Sequence, residues 1–365
     1  MKSKYRLISC LWELTLKCSL NCMHCGSVGG SARRKELSLA ECYPVAEELS
    51  DLGCEEVTFI GGEIFLFRGW EQLGHYLSDR GMMVNIMSNG FHIGEPQIQQ
   101  ILTAGLTNVG LSIDGLEPTH NFIRRNPESF KRLKQAMDLL NRHGIEIGVV
   151  TSLMETNYPD LAGLYHYLVA NRVKLWQIQL VNPMGNMAGQ HDLILRPERI
   201  PKLTAFIHEK NLDGRMLVVA GDNIGYYDEH ESFIRGRRSP FSYWEGCQAG
   251  ITSVFIDSVG NIKGCGALYD EAFIEGNVRY HSLKKIWNHP DSFAYNRKFR
   301  EDQLAGYCRT CDARDACLGG CRASNYFVTG SEHTNAYCAS QLIVSSKLKT
   351  QNSKLKTQNF LTPDS

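Results

Sequence analysis

Six short runs of apolar and β-branched residues punctuate the first half of the chain: residues 11–16, 55–60, 83–87, 108–113, 145–151 and 175–181. Their length and composition predict strands. Between them the apolar positions switch to helical spacing. Ser38 and Glu41 stand in capping-box positions, Leu39, Tyr43, Ala46 and Leu49 share one face, and Gly53 follows the end. Asn126-Pro-Glu128 opens another helix, whose Phe130, Leu133, Met137 and Leu140 form a stripe that Gly144 closes. Six strand–helix units demand a parallel sheet. The expected fold class is α/β, a partial (βα)6 TIM-like barrel over residues 1–220. Past about Val219 the alternation stops. Residues 221–246 are polar and aromatic and read as a bridge. Residues 247–340 read as a small, irregular, cysteine-rich C-terminal domain with one hairpin near Val254–Ile262. The tail, 341–365, repeats Ser-Lys-Leu-Lys-Thr-Gln-Asn from 346 and again from 353. One apolar residue in seven makes no helical seam, so this tail is expected to be disordered.

Composition narrows the function. Lys plus Arg and Asp plus Glu balance at 39 each in 365 residues, so no charge excess draws the chain to nucleic acid or membrane. No apolar stretch reaches the length of a membrane span. Lys2, Lys4 and Arg6 before residues 7–12 imitate a signal peptide faintly, but Glu13 interrupts the run. Thirteen cysteines without a secretory signal point to a cytoplasmic, metal-binding protein rather than a disulfide scaffold. Cys18, Cys22 and Cys25 follow the first strand with spacing C-x3-C-x2-C. Three soft thiolates on one tight loop suit an iron–sulfur cluster, and a cluster with three protein ligands keeps one iron open. Unrelated buried cysteines or part of a zinc site are the blander readings. A second set comprises Cys247, Cys265, Cys308, Cys311, Cys317, Cys321 and Cys338. Seven ligands do not divide into four-coordinate zinc sites, but they do divide into one cluster with four ligands and one with three. Cys10, Cys42 and Cys54 read as small buried hydrophobes.

On these motifs the chain resembles the radical S-adenosylmethionine (SAM) enzymes that carry a C-terminal SPASM domain, over about residues 9–340. Further motifs of that family end successive strands. Gly61-Gly62-Glu63 resembles the GGE turn that takes the methionine amino group. Ser88-Asn89-Gly90 resembles a polar turn near the cofactor, and Ser112-Ile-Asp114-Gly resembles a segment contacting ribose and carboxylate. Arg124 matches the arginine that pairs with the methionine carboxylate, and Met184, in Pro-Met-Gly, matches a loop beside the adenine. His24 stands where the family usually has another aromatic residue. The resemblance implies three 4Fe–4S clusters. The catalytic one is on Cys18, Cys22 and Cys25. A distal auxiliary cluster is on Cys308, Cys311, Cys317 and Cys338, and a nearer one on Cys247, Cys265 and Cys321. Some relatives place a further cysteine between the first two SPASM cysteines. Residues 248–264 contain none, so the nearer cluster is expected to keep an open site.

The implied chemistry is reductive cleavage of SAM to a 5′-deoxyadenosyl radical that abstracts an unactivated hydrogen. Enzymes of this architecture mostly act on peptides or proteins. The expected substrate is a ribosomally made precursor peptide, and the expected outcome is backbone splicing to a β-amino acid or a crosslink. No leader-recognition domain fits before the first strand, so a separate recognition protein is expected, with an external electron donor. The alternatives are a sulfatase-maturase-like oxidation of Cys or Ser in a protein partner, and a non-catalytic metal-binding module. Asp222, Tyr226, Tyr227 and Asp228 are weak candidates for an acid or base in the bridge, where loop polarity alone explains them.

Overall fold

The computed structural model describes residues 4–235 and 243–346. Seven parallel strands run through its first two-thirds: β1 (Ser9–Thr15), β2 (Glu56–Gly61), β3 (Met83–Ser88), β4 (Asn108–Ser112), β5 (Glu146–Leu153), β6 (Leu175–Leu180) and β7 (Leu217–Ala220). Helices α1 (Leu39–Asp51), α2 (Trp70–Ser78), α3 (Glu95–Thr103), α4 (Glu117–Arg124), α5 (Ser129–Arg142), α6 (Leu161–Ala170) and α7 (Ile200–Asp213) connect them. The sheet then gains β8 (Ser253–Ile256), β9 (Asn261–Lys263) and β10 (Gly276–Asn277), in the order β10-β9-β8-β1-β2-β3-β4-β5-β6-β7. This is the parallel-dominated α/β sheet of a TIM-like barrel.

The local signals work as read. Ser38 caps α1, and the Glu41 carboxylate accepts the Ser38 backbone N–H at 2.9 Å, which closes the capping box. The strands alternate buried and half-buried positions. Trp12 and Leu14 of β1 and Val57 and Phe59 of β2 enter one continuous core, with Leu73, Ile86 and Trp176.

Three features differ from the sequence reading. The parallel sheet has a seventh strand, β7, where the alternation was expected to stop. Its four residues pair with β6 from Leu175↔Leu217 but are too few to show a period. The hairpin of β8 and β9 forms where expected, yet β8 also lies parallel to β1, with Ser9↔Ser253. Residues 339–346 are helical, so the expected irregular tail does not start at 341. Ala339 N–H donates to Gly225 C=O at 2.8 Å, and Tyr337 donates its hydroxyl to Leu195 C=O at 2.7 Å, which docks this segment on the bridge and barrel. Both sequence repeats fall almost wholly outside the described residues, as do Arg237 and Arg238 of the bridge.

Glu13, the residue that interrupts the apolar run of β1, is buried inside the sheet. It pairs with Arg33 and accepts from Tyr269 Oη at 2.7 Å and from Ser258 N–H at 3.2 Å. Arg33 donates in turn to Tyr269 Oη at 2.8 Å and Ser258 Oγ at 2.6 Å. One carboxylate thus joins β1, the chain after Cys25 and the cysteine-rich segment. Replacing Arg33 by Met strands that charge. Removing one partner of a buried pair costs about 3–5 kcal/mol. The urea midpoint of Arg33→Met is expected to fall accordingly, and an unchanged midpoint would show that the pair is not a structural joint.

Candidate active site

The loop that leaves β1 is closed on itself. Cys18 N–H donates to Gly30 C=O at 2.8 Å, and Gly30 N–H donates to Leu16 C=O at 3.0 Å. Within that ring each of the three thiols meets a donor. Cys18 Sγ accepts from Leu20 N–H at 3.4 Å and from Asn89 Nδ2 at 3.7 Å. Cys22 Sγ accepts from Arg124 Nη1 at 3.7 Å, and Cys25 Sγ from Gly29 N–H at 3.2 Å. Burial, with Glu63 and the other two thiols nearby, pushes Cys18 up to about 11. Burial also raises Cys22. Metal-free, Cys18 and Cys22 stay protonated, and metal ligation must expel their protons.

The end of β2 lies directly on this loop. A Cβ at Gly61 would sit 2.3 Å from Thr15 C=O, and one at Gly62 would sit 2.4 Å from the carbonyls of both Leu16 and Lys17. Only glycine permits that approach. Glu63 follows, fully buried. Its carboxylate accepts from Ser88 Oγ at 2.8 Å and Asn89 N–H at 2.9 Å, both at the end of β3. Burial outweighs these bonds and raises Glu63 to about 7.

Beyond β4, Asp114 anchors a charged group. Its Oδ2 accepts from Arg124 Nη2 at 2.6 Å and from His24 Nε2 at 2.7 Å, and Oδ1 accepts from Ser152 N–H at 3.1 Å. Although burial opposes it, Arg124 and His24 hold Asp114 well below the carboxylate range. His120, behind them, is pushed down to about 3 by burial and by Arg124. Asp114 is thus a positioning carboxylate beneath Arg124 and His24. It is fully buried. Ser112 is half-buried at the end of β4. Arg124 keeps one buried nitrogen, Nε, with no partner among the described residues. Met184 packs on Gly26, where an added Cβ would lie 3.0 Å from its Cε. Asn186, which no sequence signal marked, clamps the loop by donating to Cys25 C=O (3.0 Å) and Cys22 C=O (2.8 Å).

A cavity of about 570 Å³ joins this region to the second cysteine set. Its wall includes His24, Gly61, Met184, Cys247, Cys265 and Cys321. Cys308, Cys311, Cys317 and Cys338 surround a separate pocket with Tyr226 and Tyr307. The thiols perturb one another along the same division. Burial and then Cys247 raise Cys265 to about 12, and burial, then Cys247 and Cys265, raise Cys321. In the other pocket, burial, Cys308 and Cys311 push Cys338 up to about 12. The expected three-plus-four division is therefore present in space. Cys10, Cys42 and Cys54 are buried in the core. Among the described residues no three such ligands converge on a single ion site, whereas a many-atom cluster spaces its thiolates apart.

A family model described as the radical SAM superfamily matches residues 12–167, and one described as the SPASM iron–sulfur cluster-binding domain matches residues 247–312. Over 341 residues the chain is 25% identical to the AdoMet-dependent heme synthase of Methanosarcina barkeri, covering 90% of this chain and 95% of that protein. Over 319 residues it is 28% identical to the mycofactocin maturase MftC of Mycolicibacterium smegmatis, covering 87% and 78%. Its fold is similar to that of Streptococcus suis SuiB bound to S-adenosylmethionine. The TM-score is 0.71 and the identity 16%, over 90% of this chain and 76% of that one.

Glu63 also sets a pH dependence. Its carboxyl moves from the ordinary 4.5 to about 7 on folding. Between those values the folded chain keeps a proton that the unfolded chain has lost, so stability falls as pH rises toward 7. The loss amounts to roughly 3 kcal/mol. In metal-free protein, Glu63→Gln should flatten the decline between about pH 5 and pH 8 by most of that amount. Parallel stability curves for the two proteins would show that Glu63 does not carry it.

Proposed function

We propose that this chain, a radical SAM domain followed by a SPASM domain, is an enzyme that modifies a ribosomally made precursor peptide. Cys18, Cys22 and Cys25 would hold the catalytic cluster. Cys308, Cys311, Cys317 and Cys338 would hold a distal auxiliary cluster, and Cys247, Cys265 and Cys321 a nearer one. The donor set fits such groups: soft sulfurs that already receive N–H bonds, with glycines where a side chain would obstruct. When bound, the catalytic cluster and SAM supply a carbon radical that abstracts unactivated hydrogen. The protein's own part is to bind and orient. Glu63, held by Ser88 and Asn89, offers a carboxylate to an ammonium. Arg124, steadied by Asp114, offers its unpartnered Nε to a carboxylate. Gly61, Gly62, His24 and Met184 would form the remaining walls around the cofactor.

The cavity carries this reading. Gln177, Gln179, Asn182, Asn223 and Gln248 line it, and among its described residues there is no Lys or Arg. Side-chain amides match the alternating donors and acceptors of a peptide backbone. The heme synthase relative favours a second reading, a tetrapyrrole in the same space. A tetrapyrrole's carboxylates want cationic partners, which this wall lacks. The outcome we favour is backbone splicing to a β-amino acid or a crosslink, in the cytoplasm, with a separate recognition protein and an external electron donor.

Mass spectrometry after anaerobic turnover tests this. A candidate peptide that loses mass spanning one residue is spliced, and one that loses two hydrogens is crosslinked. Conversion of a tetrapyrrole with peptides untouched would establish the second reading. Cys22→Ala is expected to reduce 5′-deoxyadenosine release under reducing conditions to background, and undiminished release would remove the loop from catalysis. Cys265→Ala should still release 5′-deoxyadenosine but yield no modified peptide. Normal peptide yield from that variant would refute a role for the nearer cluster.

A further inference from the structure

Cys247, Cys265 and Cys321 supply three ligands where an iron–sulfur cluster of this kind takes four. Asp222 stands beside them. It lines the cavity wall that also carries all three of those cysteines. Its position is fixed by one hydroxyl. Tyr226 Oη accepts from Cys321 N–H at 3.1 Å and donates to Asp222 C=O at 2.5 Å, tying residue 222 to residue 321.

The loop that does this is strained. Tyr226 and Tyr227 lie at φ 77° and 55°, directly after Gly225 at 101°. Two successive non-glycine residues in the left-handed region are held only by firm surroundings. Here Tyr226 N–H donates to Glu231 Oε2 at 3.0 Å, and the Tyr226 ring packs edge-on against Trp244 at 5.4 Å.

The Asp222 carboxylate itself has no hydrogen bond or ion pair among the described residues. The cation that acts on it, Arg235, is already engaged. It donates to Glu231 Oε1 at 2.8 Å and to Ile224 C=O at 2.8 Å. The Asp222 side chain is exposed to that cavity, so its oxygens are free to meet a cation placed there. Iron is one, and accepts oxygen ligands.

We propose that the Asp222 carboxylate is the fourth protein ligand of the cluster held by Cys247, Cys265 and Cys321. The position expected to stay open is then closed by an oxygen ligand facing the substrate cavity. This rests on reading those three cysteines as cluster ligands, and the test separates the two claims.

The full chain with Cys18→Ala, Cys22→Ala and Cys25→Ala retains only the auxiliary clusters and serves as the parent. Asp222→Ala and Asp222→Cys are added to it, with folding followed by circular dichroism. Iron and sulfide content, the paramagnetic resonance spectrum of the reduced protein and its response to cyanide are measured. Asp222→Ala is expected either to change the spectrum and gain a cyanide response, or to lose one cluster's iron that Asp222→Cys retains. A spectrum, iron content and cyanide response identical to the parent's overturn the inference and leave the cysteine reading intact. Loss of one cluster from both Asp222 variants in folded protein also overturns it, because a thiolate at a ligand position holds iron. If Cys247→Ala, Cys265→Ala and Cys321→Ala together remove no iron, the underlying reading fails instead.

Discussion

β1 has a parallel partner on each edge, β2 on one side and β8 on the other, and the site depends on that double pairing. Parallel strands joined through helices deliver their following loops to one edge of the sheet. The loop after β1 therefore meets Gly61-Gly62-Glu63 after β2, at a separation that leaves no room for a Cβ. Pairing with β8 brings the chain that contains Cys247 and Cys265 to the other flank. The cavity between the two cysteine sets is the space this arrangement leaves. Glu13 locks it, since its partners come from three separate stretches of chain.

The charged groups under the loop obey a second constraint. A buried carboxylate needs compensation from several directions. Asp114 receives it from Arg124, His24 and a backbone N–H, and stays ionised. Glu63 receives only neutral donors close by, and its proton is held to about 7. Two carboxylates that follow strands on either side of β3 are thus poised differently. Asp114 is satisfied within the protein, and Glu63 gains most from an added positive charge.

Much of this was legible in the sequence because the signals are local. Short strands bounded by glycine and asparagine, the Ser38–Glu41 box and the cysteine spacings each depend on a few adjacent residues. What was not legible depends on partners far away in the chain. Nothing in Leu217–Ala220 announces a seventh strand, and nothing near Ser253 announces pairing with Ser9. Glu13 read as a defect in an apolar run, because its partners Arg33 and Tyr269 lie 20 and 256 residues away. Arg124 was found by motif, but its bond to Asp114 was not, since motif spacing records which residues are present and not which of them face each other. Tyr226 is the clearest case. It read as a weak acid or base candidate that loop polarity alone explains, whereas the ring is buried and its hydroxyl joins two backbones.

The cysteine-rich segment follows a different logic from the barrel. Around its thiols the packed apolar groups are small: Tyr226 with Trp244, Leu268 with Phe273 and Ala323, Phe299 with Leu304. Such clusters bury little area, so on their own they hold a chain weakly. Burial has also raised Cys265 and Cys338 to about 12, so in the metal-free segment these two carry neutral sulfurs close to other thiols. Ligation would convert that crowding into cross-links, as metal binding does in small domains generally. The strained loop at Gly225–Tyr227 sits between the two pockets, touching Cys321 on one side and Cys338 on the other. Tyr226 therefore bridges the two pockets, and its hydroxyl ties the backbone of Cys321 to that of Asp222 at the cavity wall.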